Sequence, residues 1–541
     1  MTSRPSRSRA LPAVVAAVAA TVLGAGLGEL VAAVVAPAAS PFAVIGGGMI
    51  DIAPAWAKDL AIDLFGTDDK TALLVGIAAL LLAVAGAAGV LEWRRPPWGR
   101  VALAALGAVG AVVSLTRADA GLPSPVPSLV AGGAAALVAG LLIGRLRRGS
   151  ARTAPASADS SASSDAPDTP DTPDTPDTSA AAVADDGPTR RSVLALSGVA
   201  VMAGVLAAFG SATMRAGARA TTAVRQAIRL PTPATTTPVP ATAELGIDRL
   251  TPVLTPSADF YRIDTALVVP QVDPATWTLR VHGLVEQEVV LRWDDLVALP
   301  QKETVATLVC VSNEVGGSLI GTARWLGVPI RDVLARARPT ADADMVLSHS
   351  VDGFTASTPL EALTDERDAL LAIGMNGEPL PVEHGFPVRM VVPGLYGYVS
   401  ATKWVSELEV TRFDHAQGYW TPRGWSERGP VKLASRIDVP RASTRIPEGQ
   451  TTIAGVAWHN HVGVAGVEVQ IDDGPWQTAR LATAISADTW VQWSLVWEAT
   501  GGPHVIRCRA ISVDGETQTQ TRAAPAPDGA TGWHEVKMAV G

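Results

Sequence analysis

The 541-residue chain has only two cysteines, Cys310 and Cys508. That excludes a cysteine-rich secreted scaffold and any CxxC metal site, and leaves room for one disulfide at most. No CxxCH motif is present, which argues against a covalently attached haem. Basic charge is in deficit: 43 Lys and Arg against 52 Asp and Glu give a formal charge of -9, which argues against a nucleic-acid partner. The apolar stretches lack a central pair of ionisable residues, which argues against a transporter. Glu29 is the lone candidate, and it is expected to touch the membrane interface. What is present is unevenly spread. The first ~210 residues are dominated by Ala, Val, Leu and Gly and the remainder reads as a soluble protein, so the mean hydropathy of +0.24 averages a lipid-facing and a water-facing half.

Four apolar stretches have the length needed to cross a bilayer, at about 11–36, 72–92, 100–116 and 127–144, and a fifth follows at about 192–210. Arg4, Arg7 and Arg9 precede the first; Arg94, Arg95 and Arg100 lie between the second and third; Arg145, Arg147 and Arg148 follow the fourth. The first intervening loop instead carries Asp51, Asp59, Asp63, Asp68 and Asp69. The positive-inside rule puts the N-terminus in the cytoplasm and everything after the fifth helix outside. Residues 41–66 are moderately apolar but contain Asp51, Lys58, Asp59 and Asp63, and read as an interfacial or re-entrant piece.

Residues 149–188 are Ala, Ser, Asp, Thr and Pro, with Pro-Asp-Thr repeated from Pro167 to Thr178. Such a segment cannot bury enough apolar surface to fold and is expected to be a disordered acidic linker. It ends at Thr189-Arg190-Arg191-Ser192. The arginine pair is either a positive-inside flank or a twin-arginine export signal, which would carry a domain already loaded with cofactor. Ala216-Gly217-Ala218 has the small residues of a cleavage site. A second, Pro/Thr-rich tether spans about 230–256.

In the soluble half, residues 258–415 mix strand-like runs (Trp277–Leu284, Val388–Val392) with helical ones (Leu326–Ala335 and Leu360–Leu371). Their irregular order predicts an α+β fold. From about 448 the runs Thr452–Trp458, Gly466–Ile471, Val491–Trp497 and His504–Ile511, separated by Gly/Asp turns, predict about seven strands of an immunoglobulin-like sandwich. Cys508 shares a strand face with Ile506 and Ala510 and reads as a small core residue.

Cys310 ends the strand-like run Ala306–Val309 and precedes the polar, Gly-rich Val311-Ser312-Asn313-Glu314-Val315-Gly316-Gly317. Its own surroundings favour an inert buried thiol. That reading changes only if Phe260-Tyr261-Arg262-Ile263-Asp264, His384–Arg389 and Ser400–Lys403 converge on it. Arg389 shares a strand face with Pro387 and Val391 and so needs an anionic partner, either a structural carboxylate or a bound phosphate or pterin.

Taken together, these segments resemble the sulfite-oxidase family of molybdenum enzymes from about Asp259 to the C-terminus. Thr307–Asn313 resembles the family's cysteine segment, and Gly321–Val328 its Thr-Ala-Arg-Trp run. Met375–Pro381 through Val391-Val392-Pro393-Gly394 and Lys403-Trp404 resembles its longest signature. Gly455–Trp458 and Val469–Gly474 are similar to its immunoglobulin-like dimerisation domain. The resemblance implies molybdopterin held by Phe260, Tyr261, Arg262, Asp264, Asn313, His384, Arg389, Thr402 and Lys403, with Cys310 as the molybdenum ligand. Tyr419 falls near the family's active-site tyrosine, or is a packed aromatic.

Departures from the family pattern narrow the substrate. Glu314 and Val315 stand where sulfite-binding members have an arginine after the cysteine, and His459-Asn460-His461-Val462 stands where another comes from the sandwich. The family tryptophan between the cysteine and the Thr-Ala-Arg-Trp run has no counterpart. Each lost charge-assisted contact is worth ~1.5–3 kcal/mol to a small anion. His459 and His461 either line the replacement pocket or are exposed loop residues.

The expected layout is four transmembrane helices (1–148), the linker (149–188), a fifth helix with its arginine pair (189–212), a tether (213–256), an α+β molybdopterin domain (257–440) and the sandwich (441–541). The expected activity is that of a multi-pass, membrane-anchored, extracytoplasmic oxidoreductase without haem. It would act on a small oxo compound, with sulfite or a sulfoxide as alternatives, use a separate electron carrier and pair as a homodimer through the sandwich. A metal-free, membrane-tethered binding protein is the remote alternative.

Overall fold

The structure is a computed structural model and describes residues 10–36, 39–52, 69–116, 122–152, 190–214, 217–266, 268–442 and 444–541. They fall into two units, Met1–Ala216 and Gly217–Gly541.

In lipid, backbone N–H groups must be paired within their own segment, and the apolar runs of the first unit accordingly form helices. These are α1 (Leu11–Val35), α2 (Pro41–Ile52), α3 (Asp69–Arg94), α4 (Trp98–Leu115), α5 (Val126–Arg152) and α6 (Arg190–Met214). Helix α1, Val75–Arg94 of α3, α4 and Val126–Arg148 of α5 are long and apolar enough to cross a membrane, whereas the described apolar part of α6, Val193–Ala208, is shorter. Small residues let the helices approach closely. Gly26 of α1 lies against the backbone of Gly204 of α6, and Gly107 of α4 against Gly132 of α5.

Glu29 is buried among the helices: its carboxylate accepts hydrogen bonds from Ser40 Oγ (2.7 Å) and the Phe42 amide (3.3 Å), at the start of α2. Unpaired N–H groups at a helix start supply the partners that a buried carboxylate needs. Of residues 41–66, the first twelve form α2, and 53–66 lie outside the described residues, as do Arg4, Arg7, Arg9, Thr189, Ala216 and most of the acidic linker.

The second unit opens with α7 (Gly217–Ala227). The strands β1 (Thr235–Thr236), β2 (Thr278–Gly283), β3 (Val289–Arg292), β4 (Lys302–Val309), β5 (Ile320–Pro329), β6 (Met345–Ser350), β7 (Thr355–Pro359), β8 (Leu370–Met375), β9 (Glu378–Pro379), β10 (Arg389–Val391) and β11 (Val405–Thr411) follow. They make two sheets, ordered β1-β4-β5-β8-β10 with β9 on β8, and β3-β2-β11-β6-β7. A core that includes Leu279, Val281, Val328, Val346, Leu371, Ile373, Met390 and Leu408 joins the two sheets. A second cluster that includes Phe260, Ala306, Leu308, Trp325, Leu370 and Phe386 packs against the first sheet.

Three expectations are corrected here. Leu326–Pro329 end β5, and the helix starts only at Ile330, because Pro329 holds an extended backbone at the boundary. The helix expected over Leu360–Leu371 stops at Thr364, and Leu370 and Leu371 begin β8, a wholly buried strand whose continuous apolar run has no period of two to betray it. The Pro/Thr-rich residues 230–256 are no free tether: β1 adds in parallel to β4, and Glu244 accepts hydrogen bonds from the Val253 amide and from Gln492 Nε2.

The sandwich comprises β12 (Ala434–Val439), β13 (Arg445–Ile446), β14 (Gly449–Trp458), β15 (Val464–Ile471), β16 (Gln477–Thr478), β17 (Arg480–Leu481), β18 (Val491–Ala499), β19 (Gly502–Ser512) and β20 (His534–Val540). Its sheets run β12-β14-β18-β17 and β13-β20-β19-β15-β16, so it has nine strands rather than seven and starts at Ala434 rather than at 441. Cys508 is fully buried in its core with Ile506 and Ala510. Both cysteines are free thiols, so no disulfide links them.

Candidate functional site

Strands β4 and β5 form an antiparallel pair from Lys302↔Gly327 to Val309↔Ile320, and Cys310 is the first residue beyond β4. Its amide still donates to the Leu319 carbonyl (2.9 Å), so the sulfur is carried on backbone that continues the sheet. The loop after it is tied to itself: the Asn313 amide donates to the Cys310 carbonyl (3.0 Å), and Asn313 Oδ1 accepts from the Leu319 amide (2.9 Å). Gly316 turns the loop at φ +82°, a conformation that favours glycine. The Cys310 side of the loop is buried, and burial pushes the thiol's pKa up despite hydrogen bonding from Ser312 and the nearby Lys403 charge.

Cations gather close by. Arg389, the first residue of β10, is 4% exposed and lies 5.1 Å over the Trp325 ring. Its guanidinium donates to the carbonyls of His384 (3.1 Å), Met390 (3.3 Å) and Ala401 (3.5 Å), and it has no carboxylate partner among the described residues. Burial lowers its pKa to about 10. Lys403 Nζ donates to Asp264 Oδ2 (2.9 Å) and to the Glu383 carbonyl (3.0 Å), and burial brings its pKa down to about 8. Arg262 shares the same carboxylate at 3.0 Å. Gly385 allows this convergence, because a Cβ there would press on Arg389 Cβ and on the Lys403 backbone.

Aromatic rings wall the cluster. Phe260 stacks on Tyr261 (5.2 Å) and meets Trp325 and His384 edge-on, each at 5.7 Å. Tyr261 is buried, and that burial, with Cys310 close by, drives its hydroxyl pKa well above the ordinary range. His384 Nε2 lies 3.3 Å from the Ser257 carbonyl, while its Nδ1 is buried with no hydrogen-bond partner. Burial and the neighbouring Arg389 and Lys403 hold its pKa at about 3, so the ring is neutral at physiological pH.

The structure thus brings Phe260, Tyr261, Arg262, Asp264, His384, Arg389 and Lys403 together near Cys310, with Asn313 in its loop. Thr402 is buried behind them with its Oγ1 2.7 Å from Ser348 Oγ. Tyr419 lies in another aromatic group, with Phe354 (5.9 Å), Trp420 (5.1 Å) and the Arg423 guanidinium (3.7 Å). Sequence reasoning missed Trp325 as the platform under Arg389, and it missed Tyr396. Tyr396 is buried, with a hydroxyl pushed up to about 12 by burial and by the neighbouring Asp528 and Cys310. Its place in Pro393-Gly394-Leu395-Tyr396, one residue from a turn in the longest matched signature, was the available signal.

His461 pairs with Asp488 at 3.2 Å and is 41% exposed, whereas His459 Nδ1 is buried without a hydrogen-bond partner. Among the described residues no three His, Cys, Asp or Glu side chains are grouped to hold a metal.

This fold gathers buried cations and aromatic rings beside one thiol. Residues 266–420 match the family described as the oxidoreductase molybdopterin binding domain. Human mitochondrial sulfite oxidase is 31% identical over 319 residues, covering 50% of this chain and 58% of that protein. Chicken sulfite oxidase is 30% identical over 332 residues, covering 52% and 71%. The uncharacterized oxidoreductase YuiH of Bacillus subtilis is 37% identical over 157 residues, covering 29% and 76%. The sulfane dehydrogenase SoxCD of Paracoccus pantotrophus superimposes with a TM-score of 0.45 at 25% identity, over 50% of this chain and 76% of that one. The chain belongs to the sulfite-oxidase-type family of molybdopterin-binding oxidoreductases. It spans 58% of the human relative's length.

The residues present fit the cofactor that this family implies. Two cations, Arg262 and Lys403, share the Asp264 carboxylate, Arg389 has no carboxylate partner among the described residues, and His384 Nδ1 is buried without a hydrogen-bond partner. A phosphate and a heteroatom-rich ring would satisfy them.

Proposed function

We propose that this chain is a membrane-anchored, molybdopterin-dependent oxidoreductase that works outside the cytoplasm and moves an oxygen atom and two electrons to or from a small oxo compound. The observation that carries the reading is Arg389, a buried guanidinium near Tyr261, as Cys310 is too, with no carboxylate to balance it among the described residues. A buried cation of this kind needs an anion.

Arg389, Lys403 and Arg262 would hold the phosphate, while Phe260, Tyr261 and His384 would border the ring and exclude water. Asp264 keeps Lys403 and Arg262 aimed. Thr402 Oγ1 is engaged by Ser348, so its backbone would contribute instead. Asn313 holds the loop that carries Cys310, whose thiolate would be the metal ligand. When bound, the molybdenum cofactor would supply the oxygen-atom and two-electron chemistry. Tyr419 belongs to the proposal as the tyrosine facing substrate, with Tyr396 as its alternative.

Glu314 and Val315 after the cysteine loop favour a neutral substrate such as a sulfoxide over sulfite. The arginine-rich helix flanks and the Arg190-Arg191 pair support export of a loaded unit that stays anchored. The lack of a CxxCH motif supports a separate electron carrier, and the sandwich is the proposed surface for a homodimer.

The test is the molybdenum and pterin content of the purified full chain, followed by turnover assays with sulfoxides and with sulfite. About one molybdenum and one pterin per chain are expected in the wild type, and Cys310→Ser, which loses the thiolate ligand but keeps the residues that would hold the pterin, should retain pterin and lose turnover. A wild type without molybdenum ends the enzyme reading, and faster turnover of sulfite ends the neutral-substrate reading.

A further inference from the structure

The outward face of β12 is aimed at the Cys310 loop. Alternation along this strand sends Ile437 into the sandwich core and Ser435 Oγ to Gln518 and Cys508, while Arg436 and Asp438 emerge on the opposite side. Arg436 is buried. Its Nε and Nη2 are held by Asp438 (2.6 and 3.3 Å), and Nη2 also reaches Thr251 Oγ1 (2.9 Å). With the fork fixed on that side, Nη1 donates to the Gly317 carbonyl at 2.7 Å. Next to it, His534 of β20 accepts the Ile437 amide on Nδ1 (2.9 Å), and its Nε2 edge lies so close to Gly316 that a Cβ there would collide with the ring.

The strand leading to the cysteine is gripped as well. Asn460 Nδ2 donates to the Thr307 carbonyl (2.7 Å), the Thr307 amide donates to the Asp488 carbonyl (2.9 Å), and the Trp490 amide donates to Thr307 Oγ1 (2.8 Å). Sandwich residues therefore hold the chain both before and after Cys310.

We infer that the sandwich is a working part of the metal-ligand site, with Arg436 as the positioning residue that fixes the Cys310 loop through Gly317. The role in catalysis rests on the reading that Cys310 takes the metal; the clamp itself does not. A planar fork suits this task, since one guanidinium can bind Asp438 and Gly317 at once from a fixed plane. Losing that bond frees the loop to open locally while the rest of the fold stays closed.

The chain's two cysteines provide the test. The full-length protein is made in cells that cannot synthesise molybdopterin and is treated with iodoacetamide, and the alkylation rates of Cys310 and Cys508 are read by mass spectrometry. Cys508, fully buried in the sandwich core, reports any general loosening. In Arg436→Gln, Cys310 is expected to react about tenfold faster or more, with Cys508 still protected. Asp438→Asn, which keeps the guanidinium but loosens its hold, is expected to change Cys310 in the same direction by less. An unchanged Cys310 rate overturns the clamp. So does an equal rise at both cysteines, which would make Arg436 a general stabiliser of the sandwich. Molybdenum content of the loaded wild type decides the metal reading separately.

Discussion

Replacing Arg389 with methionine should affect the empty and the loaded protein differently. Removing one member of a buried ion pair costs ~3–5 kcal/mol because a charge is stranded. Arg389 strands none: its partners are three carbonyls, one of them at 3.5 Å, and methionine can keep the packing against Trp325. The two shorter bonds are worth about 1–3 kcal/mol together, and relief of the buried charge offsets part of that. The empty protein should therefore change little. The loaded protein also loses a charge-assisted contact to the cofactor's phosphate, worth ~1.5–3 kcal/mol, or roughly 10- to 150-fold in retention. The assay is the thermal midpoint of the full chain by tryptophan fluorescence, with and without cofactor, alongside molybdenum per chain. The stabilisation gained on loading should shrink in Arg389→Met. An unchanged gain, with both forms losing equal stability, would refute the assignment of Arg389 to an anionic ligand.

Acid should weaken the second unit through its buried histidines. His384 and His534 are held at about 3 and about 4, below the unfolded value near 6.5, so the unfolded chain binds more protons between those limits. Stability is then full above pH 6.5 and falls as pH drops toward 4, by up to ~1.4 kcal/mol per pH unit for each histidine. In denaturant titrations His534→Gln should reduce that slope by about half, and an identical slope would count against it. Burial brings the Lys403 pKa down to about 8 in the empty site, so its cation is lost as pH rises through that value, and the empty protein should take up cofactor less well at pH 9.5 than at pH 7. Gly26→Leu would drive a side chain into the Gly204 backbone, a clash costing about 1–3 kcal/mol or more. It should lower the amount of full-length protein in the membrane fraction, while Gly133→Leu, where an added Cβ meets nothing, should not. Cys508→Ala should cost about 1–2 kcal/mol of stability and leave molybdenum content unchanged.

The apolar helices and the sandwich strands were legible because their patterns are local: long runs for lipid, and Ile506, Cys508 and Ala510 alternating into one core. What escaped depends on contacts distant in sequence. Residues 230–256 look like a tether by composition, yet Glu244 and Gln492 meet across the fold, and β1 finds the open edge of β4. Leu370 and Leu371 read as the end of a helix because β8, a strand buried on both faces, loses its alternation. Cys310, Arg389 and Lys403 could be singled out as residues, but Arg389's lack of a carboxylate belongs to three-dimensional surroundings. The same holds for which tyrosine approaches the sulfur: nothing local to Tyr396 or Tyr419 distinguishes them by distance.

The grip on Thr307 and Gly317 also sets a timetable for folding. Thr307 waits for Asn460 and Trp490, 153 and 183 residues downstream, and Gly317 waits for Arg436, 119 residues on. A chain emerging from the ribosome has already made Cys310 and most of the cationic cluster while the parts that immobilise the cysteine are still unsynthesised. Contacts of such long range close late. A chain stopped before β12 would carry Cys310, Arg389 and Lys403 but none of the residues that hold Thr307 and Gly317, and its cysteine loop would be left unclamped. The grip on both sides of Cys310 can close only after Arg436, Asn460 and Trp490 have been translated.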